Sequence, residues 1–277
     1  MSTLNVYPGD TNWSALVAAF ATPSALAAGS RWYCTDLAGE VRRSAAGAWI
    51  TNAVLGPYTF AELVAAYPVG GAAMAALPTG IRAHIVDATY GWDFEMVLNS
   101  GKTTWLPARS EQRIYFSDSH VTGTSNTTLQ QLKSSGLLPA SLLQMCSMIK
   151  VRAAYGRSGT TDATSANSCI KISTAVDTLG LTVRPIAAIS VGRGSANEWY
   201  FYFPTATTVR QHGNVNNTGM VGGSGGATTH PYPAAGGTNT LPASIATTAL
   251  AVNLCMLMAT AVTDSPEADM LEVLLVA

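Results

Sequence analysis

The sequence predicts a mainly β protein, with small α+β modules at its N-terminal end and a C-terminal β-sandwich or jelly roll. Three observations predict it. An octet with helical spacing occurs twice within residues 13–67, each time followed by short strand-like segments. From residue 113 onward, apolar runs of strand length alternate with turn residues, and helical spacing is scarce. Charged residues make up only 11% of the 277-residue chain, against about 25% in an ordinary soluble domain. Ser, Thr, Asn and Gly, or other copies of the chain, must therefore cover its surface.

The octets are WSALVAAF at 13–20 and FAELVAAY at 60–67, starting 47 residues apart. Trp13, Leu16, Val17 and Phe20 fall at i, i+3, i+4 and i+7, as do Phe60, Leu63, Val64 and Tyr67, which is one face of an amphipathic helix. Asn12 and Thr59 stand among the N-cap candidates, and Pro68 helps to stop the second helix. SALAAGSRWYCTD at 24–36 then matches AALPTGIRAHIVD at 75–87 with an offset of 51, pairing Gly29 with Gly80, Arg31 with Arg82 and Asp36 with Asp87. Four residues have been gained between helix and turn. Trp49 and Trp105 close the two copies as core anchors. Each copy reads as a helix, a Gly turn and a meander of two or three strands, spanning 11–54 and 55–110 after an attachment segment at 1–10. Arg31 and Arg82 read as strand-edge charges, Asp36 and Asp87 as turn formers. Units of this size bury too little surface to stand alone and survive by packing on a neighbour.

The β-sandwich is expected over 111–277. Its candidate strands are RIYFSD at 113–118, MCSMIKVRAAYGR at 145–157, SCIKIST at 168–174, LTVRPIAAISVGR at 181–193, NEWYFYFP at 197–204, ALAVNLCMLMATAV at 249–262 and MLEVLLVA at 270–277. ALAVNLCMLMATAV carries bulk on both faces, so it is either central in the sandwich or at a subunit interface. Residues 211–241 are rich in Gly, Asn and Thr without periodicity and read as a long loop. Within it Asn214, Asn216, Asn217, His230 and Tyr232 are candidate contacts for a receptor or glycan.

The composition excludes several classes. Net charge is −1 with no recurring basic patch, so a nucleic-acid footprint is missing. No apolar run reaches the ~18 residues of a membrane span, and the N-terminus lacks the pattern of a secretory signal. Cys34, Cys146, Cys169 and Cys255 are far apart and read as reduced, packed thiols. The histidines His84, His120, His212 and His230 show no metal-ligand spacing. Gly222–Gly226 matches G-x-S-x-G around Ser224 but lacks the strand-to-helix setting of a nucleophile elbow. Gly192-Arg193-Gly194 lacks the third glycine of a dinucleotide site. No catalytic residue, cofactor or metal is expected.

ALPTGIRAHIVD followed by Trp105 resembles a module of tailed-bacteriophage structural proteins, in which a helix leads through an L-P-x-G-x-R-A-like turn to a strand ending in Asp and a meander closed by Trp. SALAAGSRWYCTD resembles it less closely. Leu137-Leu138-Pro139-Ala140-Ser141-Leu142-Leu143, Arg193-Gly194-Ser195-Ala196-Asn197 and the final Leu271-Glu272 strand resemble the β-sandwich domain that often follows. The resemblance covers most of the chain and rests on the order of short motifs. The long loop departs from the pattern.

The resemblance implies a non-enzymatic virion protein, made in the host cytoplasm. It would be a homotrimeric tail fibre or spike that docks to other virion proteins through its N-terminus and presents its β-sandwich outward, with a host cell-surface glycan as a possible target. A capsid decoration or head fibre protein is the variant of this reading. A stand-alone carbohydrate-binding module, stacking sugars on Trp199 or Tyr232, is the alternative from another class. An esterase or depolymerase using Ser224 is the third.

Overall fold

Asn12 starts the first helix because its carboxamide accepts the Ala15 N–H at 2.7 Å, satisfying one of the orphan donors of a helix end. The computed structural model describes residues 11–20, 27–125, 128–145, 148–158, 165–174, 181–182, 187–190, 195–214, 218–219, 238–258 and 264–277. They form two units, Met1–Ser110 with Ala277, and Glu111–Val276.

In the first unit, α1 (Trp13–Ala19) precedes an antiparallel meander of β1 (Arg31–Cys34), β2 (Gly39–Arg43) and β3 (Trp49–Thr51). The second copy has β4 (Val54–Tyr58), α2 (Phe60–Ala66), α3 (Ala72–Ala75), β5 (Arg82–Asp87), β6 (Trp92–Leu98) and β7 (Trp105–Pro107), with sheet order β4-β5-β6-β7. Thr59 and Glu62 cap α2 reciprocally. The short α3 lies where the second copy gained its four residues.

The copies share several corresponding bonds. The parallel bridge between Thr11 and Cys34 corresponds to the parallel pair Tyr58 and Ile85 of β4 and β5. Phe20 N–H donates to Leu16 C=O at 3.0 Å, and Tyr67 N–H to Leu63 C=O at 2.8 Å. Arg31 reaches Glu40 at 3.5 Å, and Arg82 reaches Glu95 at 3.3 Å. Trp49 and Trp105 are buried anchors. The octet's apolar face is only half used. Trp13, Leu16, Phe60 and Leu63 are buried, whereas Val17 is 37% exposed. A seven-residue helix lying on a narrow sheet covers it with one residue per turn.

Asp36 and Asp87 do more than form turns. The Trp13 N–H donates to Asp36 at 2.8 Å and the Phe60 N–H to Asp87 at 3.3 Å. Each carboxylate ties the end of its strand to the first residue of its helix, where negative charge also meets the positive end of the helix. The copies then interlock. Thr79 N–H donates to Trp49 C=O at 3.1 Å, Thr51 N–H to Thr79 C=O at 2.9 Å, and Trp13 Nε1 to Ala76 C=O at 2.8 Å.

The second unit is a jelly roll. Its strands are β8 (Glu111–Ser117), β9 (Val121–Thr122), β10 (Gln130–Leu138), β11 (Met148–Arg157), β12 (Ser165–Ser173), β13 (Leu181–Thr182), β14 (Ala187–Ser190), β15 (Ser195–Thr205), β16 (Thr208–Asn214), β17 (Thr218–Gly219), β18 (Thr238–Thr240), β19 (Leu250–Met258) and β20 (Pro266–Val276), with α4 (Leu142–Met145) before β11. The larger sheet has the order β18-β16-β15-β11-β20-β8, with β9 on β20 and β17 on β15. The smaller has β10-β19-β12-β13, with β14 on β12. The chain passes from β8 to β10, β11, β12, β15, β19 and β20 by switching sheets. The neighbours β8–β20–β11–β15 and β10–β19–β12 then follow as in two interleaved Greek keys.

Ile149, Val151, Trp199, Phe201, Val273 and Leu275 line one face of the larger sheet, and Ile170, Ile172, Val252 and Leu254 one face of the smaller; none is more than 1% exposed. β19 is central in its sheet, as its two-faced apolar sequence allows, and its buried Asn253 donates to Ser173 Oγ at 2.7 Å. Ser141, in the Leu137–Leu143 step, has φ +68, and its N–H and hydroxyl donate to the Ile245 and Ala246 carbonyls. Strand pairing also reaches into the expected loop. β16 runs to Asn214, and β17 and β18 hold residues 218–219 and 238–240.

Replacing Asp87 or Asp36 by Ala is expected to destabilise the first unit by about 1 kcal/mol each, with Asp87, which is buried and also accepts the Thr89 N–H, costing more. Of the tryptophans only Trp199 lies beyond residue 110, so denaturant titration followed by tryptophan fluorescence reads mainly this unit. Unchanged midpoints in both variants would show that the carboxylates do not hold the helices.

Candidate functional site

Strand alternation sends every second residue of the larger sheet away from its core. On β11 these are Met148, Lys150 and Arg152; on β15, Glu198, Tyr200 and Tyr202; on β20, Glu272 and Leu274; on β8, Glu111, Arg113 and Phe116. Register sets Lys150 beside Tyr200 and Leu274, and Arg152 beside Glu198 and Glu272. In a chain this poor in charge, three cations and three carboxylates therefore meet on one sheet face.

Lys150 Nζ lies 2.5 Å from Glu111 and 3.3 Å from Glu198, although Lys150 is only 5% exposed. Arg152 bridges Glu198 at 2.7 Å and Glu272 at 3.2 Å, Tyr200 Oη donates to Glu198 at 2.6 Å, and Arg113 stacks over Phe116 at 5.0 Å. Burial pushes Lys150 down, but hydrogen bonds to Glu111 and Tyr200 and the Glu198 charge outweigh it and hold its pKa above the ordinary 10.5. Burial likewise pushes Glu198 up, and Tyr200, Arg152 and Lys150 together bring it below 4.5. Both groups are locked in their charged forms, the reverse of what acid–base work near neutral pH requires. The face combines rigid, mutually neutralised charge with Tyr200, Tyr202, Phe116 and Met148, side chains favoured at protein contacts.

A second polar cluster lies at the β8–β9 connection. Lys133 of β10, 4% exposed, donates to Ser117 Oγ at 3.1 Å, to Ser119 Oγ at 3.3 Å and to the Ser119 carbonyl. A serine–lysine pair can make a nucleophile when the lysine is neutral. Here burial lowers the Lys133 pKa, yet all three ammonium hydrogens go to acceptors, so it acts as a clamp. His120 Nδ1 meets Asp269 at 2.7 Å and Nε2 meets Thr122 at 3.0 Å, with Glu267 at 3.9 Å. The hydrogen bond to Asp269 raises the His120 pKa above 6.5. The His120–Asp269 pair and the Lys133 hydrogen bonds tie the connection to β20 and β10.

Of the residues singled out in the sequence, Asn214 ends β16, its backbone paired with Trp199. Asn216, Asn217, His230 and Tyr232 lie outside the described residues, as do Ser224, Gly192–Gly194 and Cys146. Trp199 is not a stacking platform: it is 1% exposed and packs on Tyr155 with ring centroids 6.2 Å apart. Cys34 and Cys255 are buried, and burial, with Asp36 nearby, pushes the Cys34 thiol up to about 11. His84 pairs with Asp93 at 2.7 Å on the strand surface. Among the described residues no cluster of three or more His, Cys, Asp or Glu is placed to hold a metal ion, and no helix is long and apolar enough to cross a membrane. Comparison with protein-family models, curated proteins and solved structures finds no match for this chain.

Replacing Lys150 by Ala strands Glu111 and Glu198 on the sheet and is expected to cost about 1–3 kcal/mol, less than a fully buried pair because the carboxylates are part-exposed. Glu198, with its folded pKa below 4.5, contributes stability present above that value and lost as pH falls through the folded pKa. Urea midpoints from acid to neutral pH should therefore drop in the wild type below about 4.5 and stay flatter in Glu198→Gln. Equal slopes would remove the network as their source.

For His120 the sign is opposite. Its folded pKa is raised, so the clamp is complete below 6.5 and weakens as pH rises through the higher folded value. In an NMR titration of its ring, Asp269→Asn should bring the midpoint back down. An unmoved midpoint would show that Asp269 is not the partner that matters.

Proposed function

We propose that this chain is a structural protein of a phage virion: a homotrimeric tail fibre or spike that docks through its N-terminal end and presents the jelly roll for contact with a host surface. The observation that carries this reading is the interlocked duplicate module ahead of a jelly-roll domain. A stacked small unit is how a shaft is built from short sequence, and jelly rolls recur in capsid and lectin domains. The outward face of the larger sheet is the proposed trimer contact, because its charges are neutralised within the subunit and Tyr200, Tyr202, Phe116 and Met148 give it aromatic and thioether surface. The first copy of the module is the particle-facing end in this reading.

Light scattering after gel filtration tests it. The expected mass is three times the 28.8 kDa of one chain, and Tyr202→Arg together with Met148→Glu should shift it toward the monomer. A wild-type mass of one chain at all concentrations would overturn the fibre reading.

A further inference from the structure

We infer that the cavity where the two copies of the module meet is a binding site for a carboxylated sugar, a hexuronate unit, held by Arg42 and Arg31 beside the ring of Tyr33. The cavity has a volume of about 330 Å³ and is lined by Arg31, Glu40, Arg42, Thr51, Asn52 and Thr79. That volume is near the lower end of small-ligand pockets, with room for one sugar unit and little more.

Register sets Arg31 directly opposite Arg42 and Tyr33 directly opposite Glu40, all four exposed on one face of the first meander, with Ile50 of β3 on the far side of Arg42. Like charges directly opposite each other weaken an antiparallel pair. Glu40 relieves only one of them, reaching Arg31 at 3.5 Å. Among the described residues neither Arg42 nor Asn52 has a side-chain ion pair or hydrogen bond within the chain.

The second copy shows what the fold alone requires. It keeps the diagonal pair, Arg82 to Glu95 at 3.3 Å. Opposite Arg82, however, register sets Val97, with Leu106 beyond it. Where the first copy has Tyr33, the second has His84, paired with Asp93 at 2.7 Å. The same strand pair therefore forms without a second guanidinium and without an exposed ring. Arg42 and Tyr33 are additions that the sheet does not need, and both are placed around the cavity.

Those additions define the ligand. Two guanidiniums against one carboxylate leave a single positive charge, the complement of one carboxylate rather than of a doubly charged phosphate. Glu40 engages Arg31, so the incoming carboxylate lies against the planar fork of Arg42, which suits it bidentately. Asn52 and Thr79 add neutral hydrogen-bonding groups for hydroxyls. Tyr33, 49% exposed, offers an apolar ring face with a polar tip for the C–H face of a pyranose. The inference goes beyond the fibre reading and stands whether the chain is a trimer or a monomer.

Saturation-transfer NMR on the full chain tests it, with methyl glucuronide as the probe. Transfer should saturate at millimolar probe and be absent for methyl glucoside, which lacks the carboxylate. Arg42→Val, the residue that the second copy has, should weaken binding about tenfold through loss of the charge-assisted hydrogen bonds. Tyr33→Ala should weaken it as well, and Arg82→Val in the second copy should leave it unchanged. No transfer from the glucuronide, equal transfer from the glucoside, or equal loss in Arg82→Val would overturn the proposal. So would equally effective competition by sodium acetate or sulfate, which would show an adventitious ion only. Arg42→Val should also leave the urea midpoint, read by tryptophan fluorescence, unchanged or raised, because it removes a like-charge pair. A lowered midpoint would show that the fold itself needs Arg42, and would overturn the proposal too.

Discussion

The pairing of Thr79 with the edge of β3 is the contact on which the first unit depends. Either copy alone is a seven-residue helix on a small sheet, and a unit of about 45 residues leaves too large a share of its surface in water to be stable. Two hydrogen bonds at Thr79, with the Trp13 indole bond to Ala76, join the copies where each would otherwise expose backbone and aromatic surface. The aromatic cluster of Trp13, Trp32 and Trp49, with centroids 5.2 to 5.9 Å apart in edge-to-face contacts, gives the first copy its core. The octet recurs because the same two-turn helix must be tied to the same strand twice, by Asp36 and by Asp87.

In the jelly roll the scarce charge is concentrated. A lysine as buried as Lys150 is tolerated only with partners at hydrogen-bond distance, and Glu111, Glu198 and the Tyr200 ring supply them. The network spans β8, β20, β11 and β15, so it fixes their register from the outer face while Ile149, Val151, Trp199 and Val273 fix it from the core. A one-residue slip of β11 would place Lys150 among the core side chains and strand its carboxylates.

Much of the fold was legible where a periodic signal ran long enough. The helices α1 and α2, their caps Asn12 and Thr59, the anchors Trp49 and Trp105 and the long strands β8, β11, β15, β19 and β20 all have local signatures. A strand as short as β9 does not alternate and exists because a longer strand offers it an edge, whereas β13 and β14 fall within the LTVRPIAAISVGR segment that the sequence marks as a strand. The polar networks left no local trace. Glu111 and Lys150 are 39 residues apart and Arg152 and Glu272 are 120 apart, and each is a lone charge in an apolar run until the jelly-roll order makes them neighbours. Trp199 looked like an available ring because its strand is aromatic on both faces; the register with Val151 places it inside. Asp36 and Asp87 looked like turn formers because the helix that each one holds is more than 20 residues upstream.

Edges decide how such a protein can associate. An unpaired strand edge invites further strands, and proteins blunt it with short strands, charge or proline. In the jelly roll the outermost strands are β18 and β8 in the larger sheet and β10 and β13 in the smaller. In the first unit the means is Pro107. The module pattern would let copies seat on one another without limit, since each carries both a turn like Thr79–Gly80 and an edge like β3. Substituting proline for the donor at the second edge breaks that symmetry. Threonine at 51 returns the hydrogen bond and proline at 107 cannot, so stacking that is favourable once inside the chain is not repeated at β7. At the β7 edge, a repeat that would otherwise generate an open head-to-tail series lacks a single N–H.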